Sequence, residues 1–197
     1  MTLPDRVKLP FRFDPKLLAR DLAAAASEDW IAHFVTQNYD GDWSVLPLRG
    51  PKGATHPVLA IYPDPSATEF ADTPLLARCP YFRGILARFI CPLQTVRLMR
   101  LAPGSTIREH RDHDLSLEDG MARIHIPVVT NPLVEFEVNR RRVVLDAGSA
   151  WYLRLSDPHR VANRGATDRV HLVIDAQADD WLRALLQAAA SPVSAGL

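Results

Sequence analysis

The sequence predicts a mainly β fold with flanking helices, and the spacing of its apolar residues leads to this prediction. From residue 93 to residue 175, eight short apolar or alternating segments follow one another at intervals of roughly 8–12 residues, which is typical of antiparallel sandwiches and barrels. Turn-forming residues such as Pro, Gly, Asn and Asp separate the segments. Segments with helical spacing precede and follow them.

Two helices are predicted before the strands. The first covers 14–26, where Asp14 is a candidate N-cap and Pro15 suits the first helical position. The second covers 74–89, and Pro80 is expected to break or kink it because proline removes a helical hydrogen bond.

The chain is predicted to form a single domain of 197 residues, a length that suits one hydrophobic core. Its N-terminal part, 1–92, is expected to be helical and mixed, with short extended pieces at Trp43–Leu48 and Val58–Tyr62. The β core is expected over 93–177, and a C-terminal helix over 178–190.

Eight strands is the number found in a jelly-roll, also called a double-stranded β-helix, as in cupins. The sequence therefore predicts a jelly-roll with helices packed against it. The predicted strands cover 93–102, 106–111, 122–129, 133–138, 141–146, 149–155, 158–163 and 168–175. The final helix is expected to begin at Asp179 or Asp180.

Composition excludes several classes of partner. The 23 basic residues equal the 23 acidic residues, so the basic excess of a nucleic-acid-binding protein is absent. No run of about 18 apolar residues is present, so no membrane-spanning helix is expected. Two cysteines, Cys79 and Cys91, cannot form a disulfide framework, and the first residues lack the apolar run of a secretory signal. A cytoplasmic location is the expectation.

The histidines are unevenly distributed, and this is the first indication of chemistry. Five of the seven histidines lie within residues 110–171. Because residues i and i+2 of a strand point to the same face, His110 and Asp112 are expected to share a face, and His159 begins the seventh segment.

The same alternation places other polar side chains together. Arg123 and His125 share a face of the third segment, and Arg169 and His171 share a face of the eighth. If these faces point inward, the barrel encloses a polar cavity with ionisable groups.

Two imidazoles and one carboxylate suit a facial-triad metal site. This set of ligands favours Fe(II) and leaves coordination positions open for substrate and oxygen. Arg169 follows His159 by ten residues, on the next predicted strand, where its guanidinium could bind a carboxylate through two hydrogen bonds.

The order His110, Asp112, His159 and Arg169 on eight predicted strands resembles that of the 2-oxoglutarate-dependent Fe(II) dioxygenases. Within that superfamily the chain is most similar to the aspartyl/asparaginyl β-hydroxylase group, which includes bacterial cis-hydroxylases of free proline. Segments RIHIP and GSAWYLRLSDPHRVANRG carry this closer resemblance, which covers about residues 93–177.

The resemblance implies a hydroxylase with Fe(II) and 2-oxoglutarate as cofactors and molecular oxygen as co-substrate. Iron would be held by His110, Asp112 and His159, and 2-oxoglutarate by Arg169 together with His125. The reaction would convert 2-oxoglutarate to succinate and carbon dioxide while a carbon of the substrate is hydroxylated.

Charge counting predicts the class of substrate. Iron, Asp112, Arg169 and a 2-oxoglutarate dianion balance, which leaves Arg123 as a surplus cation on an inward face. An unpaired buried charge is costly, so an anionic substrate group, most simply a carboxylate, is expected to bind Arg123. Asn163, which faces the same way as His159, is a second candidate substrate contact. A small-molecule substrate is favoured over a peptide or protein side chain.

Other interpretations of the same residues remain open. His110 with Asp112 could be a surface pair, His125 could be a hydrogen-bonded core histidine, and His171 is expected to be structural. The barrel could also belong to a cupin-like metal enzyme that does not use 2-oxoglutarate, or to a jelly-roll that senses a metal or a small molecule. Arg169 distinguishes these cases, because neither alternative requires a cation for a carboxylate there.

Overall fold

The computed structural model describes residues 3–26, 28–54, 56–61, 66–113 and 115–191. Two antiparallel sheets face each other, and helices cover the outer face of the larger sheet. The predicted jelly-roll with flanking helices is confirmed. None of the helices in these parts of the chain is long and apolar enough to cross a membrane.

The strands are numbered along the chain. They are β1 (Arg6–Arg12), β2 (Ile31–Ala32), β3 (Tyr39–Asp40), β4 (Trp43–Pro51), β5 (Phe70–Asp72), β6 (Leu93–Leu101), β7 (Thr106–His110), β8 (Met121–Val129), β9 (Val134–Val138), β10 (Arg141–Val143), β11 (Ser149–Leu153), β12 (His159–Asn163) and β13 (Arg169–Gln177). The larger sheet has the order β1-β11-β8-β13-β6-β4-β2, with β5 paired to β4. The smaller sheet has the order β10-β9-β12-β7-β3.

All eight strands predicted after residue 93 are present as β6 to β13, and their ends agree to within a few residues. Their buried side chains alternate as the sequence predicts. On β13, Leu172 and Ile174 pack into the core beneath the helices, whereas Val173 belongs to the core between the two sheets. The face that carries Arg169 and His171 therefore points to the inside of the barrel.

The helices follow the predicted signals for their ends. They are α1 (Pro15–Ala25), α2 (Pro57–Ile61), α3 (Pro74–Ala77), α4 (Pro80–Leu86) and α5 (Asp180–Ala190), with a 3₁₀ turn at Thr36–Asn38. The Asp14 carboxylate accepts the backbone N–H of Lys16, and the Asp179 carboxylate accepts that of Leu182. The predicted helix over 74–89 is broken at Pro80, as expected.

The N-terminal part departs from the expectation in two places. Residues 6–12 form β1, at one edge of the larger sheet, where Val7 and Leu9 point into the core. The expected extended piece at Val58–Tyr62 is wrong, because Pro57–Ile61 forms a short helix and Tyr62 lies outside the described residues. A proline at the first helical position favours this helix.

Candidate active site

A cavity of about 480 Å³ lies between the two sheets. The smaller sheet contributes the side chains that could bind a metal, and the larger sheet contributes three buried arginines. The polar side chains that line the cavity include His33, Arg97, His110, Asp112, Arg123, His125, His159, Arg169 and Asp175.

Strand register brings the two predicted histidine ligands together. His110 at the end of β7 lies directly opposite His159 at the start of β12, and their ring centroids are 4.2 Å apart. Asp112 follows β7 by two residues, and its backbone N–H donates to the carbonyl of Leu155. The ligand atoms of the three side chains all lie within 4.8 Å of one another. The predicted triad is therefore assembled in one place.

Backbone carbonyls orient both imidazoles for metal binding. His110 Nδ1 lies 2.7 Å from the carbonyl oxygen of Arg108, and His159 Nδ1 lies 3.0 Å from that of Asp157. A carbonyl oxygen only accepts, so each Nδ1 carries the proton and each Nε2 keeps a lone pair for a metal. Burial lowers the pKa of His159 to about 4, so this imidazole is a neutral ligand at physiological pH.

The Asp112 carboxylate is divided between two neighbours. Its Oδ1 lies 3.5 Å from His110 Nε2, whereas its Oδ2 accepts a hydrogen bond of 2.6 Å from Nη1 of Arg123. One oxygen is therefore committed to Arg123, and the other faces the imidazoles. Two imidazole nitrogens and one carboxylate oxygen are the donor set that suits Fe(II) with open positions, so the residues fit this metal.

Arg169 is a buried cation without an acidic partner. It is 2 % exposed, and no carboxylate among the described residues lies within ion-pair distance of it. Its Nη2 donates to His171 Nδ1 at 2.8 Å, while its Nε has no hydrogen-bond partner in the part of the chain that the structure describes. Burial lowers the pKa of Arg169 to about 9. A buried guanidinium of this kind is costly unless an anion binds to it.

The tautomer of His171 follows from the same contact. A guanidinium only donates, so His171 Nδ1 accepts and the proton of this ring is on Nε2. His125 Nδ1 lies 3.3 Å from His171 Nδ1, and His125 Nε2 has no hydrogen-bond partner among the described residues. His125 lines the cavity, and its predicted contact with 2-oxoglutarate stays a prediction.

Arg123 differs from the expectation, because it is not an unpaired cation. Its Nε and Nη2 donate to the two carboxylate oxygens of Asp175 at 2.6 and 2.9 Å, and its Nη1 donates to Asp112. Burial alone would lower the pKa of Arg123, but the two carboxylates raise it. Asp175 also forms an ion pair of 2.9 Å with Arg97. Neither Asp175 nor Arg97 was among the candidate site residues predicted from the sequence.

Asn163 does not line the cavity. Its Nδ2 donates to the carbonyls of Leu101 and Thr167 at 3.0 and 2.8 Å, and its Oδ1 accepts from the backbone of Gly165 and the side chain of Asn131. These four bonds use the amide to hold the turn after β12. The structure therefore assigns Asn163 a structural role in place of the predicted substrate contact.

A signal for some of the missed residues was present in the sequence. The alternation that joins Arg169 to His171 reaches Asp175 after two further steps along β13. His33 gave no such signal, because it follows a strand of two residues. Its ring stacks on Trp43 with centroids 3.5 Å apart, and together they form an aromatic wall of the cavity.

Comparison with known proteins identifies the family. The model of the aspartyl/asparaginyl β-hydroxylase family matches residues 15–179, which include every candidate ligand and cation of the cavity. The chain therefore belongs to this family, and the resemblance inferred from the sequence is confirmed. This family comprises hydroxylases of the 2-oxoglutarate and Fe(II) type.

The chain is similar to an L-proline cis-4-hydroxylase of Rhizobium meliloti (strain 1021), with 26% identity over 188 residues. The match covers 93% of this chain and 64% of that relative, so the chain spans about 64% of the relative's length. Among solved structures, an oxidoreductase of the 2OG-Fe(II) oxygenase family from Burkholderia pseudomallei has a TM-score of 0.56 and 18% identity, over 89% of this chain and 85% of that one. A prolyl-4-hydroxylase from Pseudomonas putida has a TM-score of 0.53 and 12% identity, over 89% and 93%. These structures share the fold.

Proposed function

We propose that this protein is an Fe(II)- and 2-oxoglutarate-dependent hydroxylase whose substrate is a small molecule with a carboxylate, most simply a free amino acid. One observation carries the proposal. The triad of His110, Asp112 and His159 shares its cavity with Arg169, a buried cation without an acidic partner among the described residues. A metal sensor requires the triad alone, whereas a buried cation beside it also requires an anion.

The triad residues would hold the metal through His110 Nε2, His159 Nε2 and the free oxygen of Asp112. Bound iron, with oxygen and 2-oxoglutarate, supplies the oxidising power that converts a C–H bond to C–OH while 2-oxoglutarate becomes succinate and carbon dioxide. The protein's part is to fix the direction of both imidazoles, which the carbonyls of Arg108 and Asp157 accomplish.

Arg169 would bind the carboxylate of 2-oxoglutarate that lies far from the metal. A guanidinium has five N–H donors, and among the described residues Arg169 donates one of them to His171. The remaining donors can form a bidentate pair with a carboxylate. The Phe136 ring, 5.6 Å from the guanidinium carbon, covers one side of the group. Binding of the anion would also remove the cost of the unpaired charge.

Arg123 and Arg97 would bind the carboxylate of the substrate. The charges of the two arginines and Asp175 leave one positive charge, and Asp112, Arg169, a divalent metal and a 2-oxoglutarate dianion balance one another. One substrate carboxylate would therefore neutralise the filled cavity. The expectation of an anionic substrate is retained, but the positive charge is shared by an arginine pair around Asp175 and does not reside on Arg123 alone.

The size of the cavity supports a small substrate. Its volume of about 480 Å³ must contain 2-oxoglutarate as well as the substrate, which leaves space for a molecule of amino-acid size. The stacked rings of His33 and Trp43 bound this space on one side. A larger peptide would fit as a substrate only if the wall formed by His33 and Trp43 moved.

The experiment that tests this proposal is a screen of substrates by succinate formation. The protein is incubated with Fe(II), 2-oxoglutarate and oxygen in the presence of free amino acids or of their carboxamides, which have the same side chains without the negative charge. We expect succinate and a product that has gained one oxygen atom with at least one free amino acid, and neither with its carboxamide. Equal activity with the carboxamides would contradict a carboxylate subsite, and no succinate with any amino acid would contradict the proposed substrate class.

The proposal includes a cytoplasmic location. Cys79 and Cys91 are both free and buried, and burial raises the pKa of these thiols to about 11 and about 12 respectively. Two unpaired thiols are consistent with a reducing compartment. Fractionation of the native host, followed by immunodetection, tests this location.

A further inference from the structure

Four charged side chains form a line from the metal site across the wall of the cavity. Asp112 contacts Arg123, Arg123 contacts Asp175, and Asp175 contacts Arg97, at 2.6, 2.6 and 2.9 Å. The signs of the charges alternate along this line. Arg97, Arg123 and Asp175 are each less than a tenth exposed, so water screens their charges weakly.

The strand register explains why Asp175 lies at the centre. Asp175 of β13 is the cross-strand partner of Arg123 of β8, and β6, which carries Arg97, pairs with the other edge of β13. Thr95 of β6 donates to Asp175 Oδ2 at 2.7 Å. Each oxygen of Asp175 therefore accepts at least one strong hydrogen bond, and its carboxylate is held between two guanidinium groups. Together these charges hold its pKa well below the usual value for aspartate, although burial alone would raise it.

Asp175 has no direct path to the metal, because Arg123 lies between it and Asp112. Arg123 nevertheless connects it to the metal site, because this guanidinium contacts both carboxylates. Asp112 is the single acidic ligand of the triad, and Arg123 already binds one of its oxygens. Without Asp175, the charges of Arg123 and Arg97 would act on Asp112 and on a divalent cation without compensation, and both effects would oppose metal binding.

We propose that Asp175 is a positioning residue for the metal centre, a non-coordinating carboxylate that neutralises Arg123 and fixes it so that Arg123 shares Asp112 with a metal. In this arrangement, one edge of the Arg123 guanidinium, formed by Nε and Nη2, faces Asp175, and Nη1 reaches Asp112. One oxygen of Asp112 is consequently left for the metal. The inference rests on the metal site of the proposed function and concerns a residue that does not contact the metal.

A purely structural role for Asp175 makes a different prediction. A buried carboxylate that only stabilises the fold affects the free energy of unfolding and leaves the metal affinity of the folded protein unchanged. Asp21 is such a residue, because it is 1 % exposed, lies on α1 and accepts the backbone N–H groups of Tyr81 and Phe82 at the start of α4. Asp21→Asn is therefore the matched control for Asp175→Asn.

The experiment is a titration with Co(II) alone, followed by the visible absorption of the bound ion. We expect wild-type protein and Asp21→Asn to bind Co(II) with the same Kd within about twofold, and Asp175→Asn to bind about 10- to 100-fold more weakly, as is typical when the partner of a metal ligand is perturbed. Circular dichroism and thermal unfolding confirm that each variant is folded at the temperature of the titration.

A double variant, Asp175→Asn with Arg123→Gln, tests the direction of the effect. Arg97 then remains as the one positive charge, which equals the net charge of Arg97, Arg123 and Asp175 in the wild-type protein, so we expect the double variant to regain Co(II) affinity to within about threefold of wild type. This double variant also decides the matter if Asp175→Asn alone does not fold, since removing both members of a buried ion pair is tolerated better than removing one.

Two results would overturn the inference. One is a folded Asp175→Asn protein that binds Co(II) as tightly as wild type. The other is a double variant that binds Co(II) more than tenfold more weakly than wild type, because the contribution of Asp175 would then not act through Arg123. A wild-type protein that binds no Co(II) would instead contradict the proposed function, and the inference with it.

Discussion

Arg169→Met gives the most informative prediction, because its effects on stability and on ligand binding have opposite signs. The side chain is 2 % exposed, and burial lowers its pKa from the ordinary arginine value to about 9. A fall of this size corresponds to an unfavourable burial energy of about 5 kcal/mol. Methionine removes the charge and fills a similar volume, but it also loses the hydrogen bond to His171, which contributes about 1–2 kcal/mol.

The expected net effect on the ligand-free protein is a gain of about 3 kcal/mol in the free energy of unfolding. For a chain of this length, 1 kcal/mol shifts the Tm by about 2–4 °C, so the Tm should rise by about 6–12 °C. Binding of 2-oxoglutarate should show the reverse. Removing one partner of a buried charge pair costs about 3 kcal/mol or more, which raises the Kd for 2-oxoglutarate about 150-fold.

Thermal unfolding with and without 2-oxoglutarate measures both effects in one assay, with Co(II) present in all samples that contain 2-oxoglutarate. At a ligand concentration of about 100 times Kd, wild-type protein should gain about 2.7 kcal/mol of stability, whereas Arg169→Met should gain almost none. Arg100→Met is the matched control, because Arg100 lies on β6, contacts Ser44 and Asp42, and does not line the cavity. Its response to 2-oxoglutarate should equal that of wild type.

A particular result would refute this reasoning. If the ligand-free Arg169→Met protein melts below wild type by several degrees, the guanidinium is not an unpaired buried charge. If 2-oxoglutarate still raises its Tm as much as it raises that of wild type, Arg169 is not the carboxylate site.

Three further predictions follow from other parts of the structure. Asp112→Ala should abolish Co(II) absorption while the circular dichroism spectrum is retained, and a Co(II) spectrum equal to that of wild type would contradict the proposed ligand set. Burial lowers the pKa values of four histidines, namely His33, His125, His159 and His171, so below about pH 6.5 the unfolded chain binds protons that the folded chain does not. Each contributes about 1.3 kcal/mol, so the free energy of unfolding of the metal-free protein should fall by about 5 kcal/mol from pH 7.5 to pH 5.5, as measured by urea unfolding, and an unchanged urea midpoint would refute this. Asn163→Ala should lower the free energy of unfolding by about 1–3 kcal/mol and leave the KM for 2-oxoglutarate unchanged. A large rise in that KM would contradict the structural role of Asn163.

Much of the β core could be predicted from the sequence, because its two kinds of signal agree there. Alternating apolar residues define each strand after residue 93, and the turn residues between strands define their ends. Both signals are weaker before residue 93. Strand β1 contains Pro10, and a proline argues against a strand in a sequence-based prediction. The strand forms nevertheless, because it lies at a sheet edge, where a proline is tolerated.

The candidate ligands could be predicted by residue type and alternation, but their contacts could not. His110 and His159 are 49 positions apart in the sequence, and they become neighbours because β7 pairs with β12 in a particular register. The Arg123 and Asp175 pair depends in the same way on the register of β8 and β13. Strand order and register are set by the packing of the whole barrel, which a single strand's sequence does not contain.

The error at Asn163 has a local cause. Alternation on β12 correctly places Asn163 on the face of His159, but β12 ends at this residue. Beyond a strand end the side chain is free to bond to the following turn, and here it binds the carbonyl of Thr167. Alternation therefore predicts the direction of a side chain in the middle of a strand better than at its last residue.

The central claim is that His110, Asp112 and His159 hold iron beside a 2-oxoglutarate site at Arg169. The most direct test adds Fe(II) and then 2-oxoglutarate to the protein without oxygen and records the visible spectrum. Chelation of the iron by 2-oxoglutarate should give a metal-to-ligand charge-transfer band in wild-type protein, and the band should be absent from the Asp112→Ala, His159→Ala double variant. No band in wild-type protein, or an undiminished band in the double variant, would contradict the account.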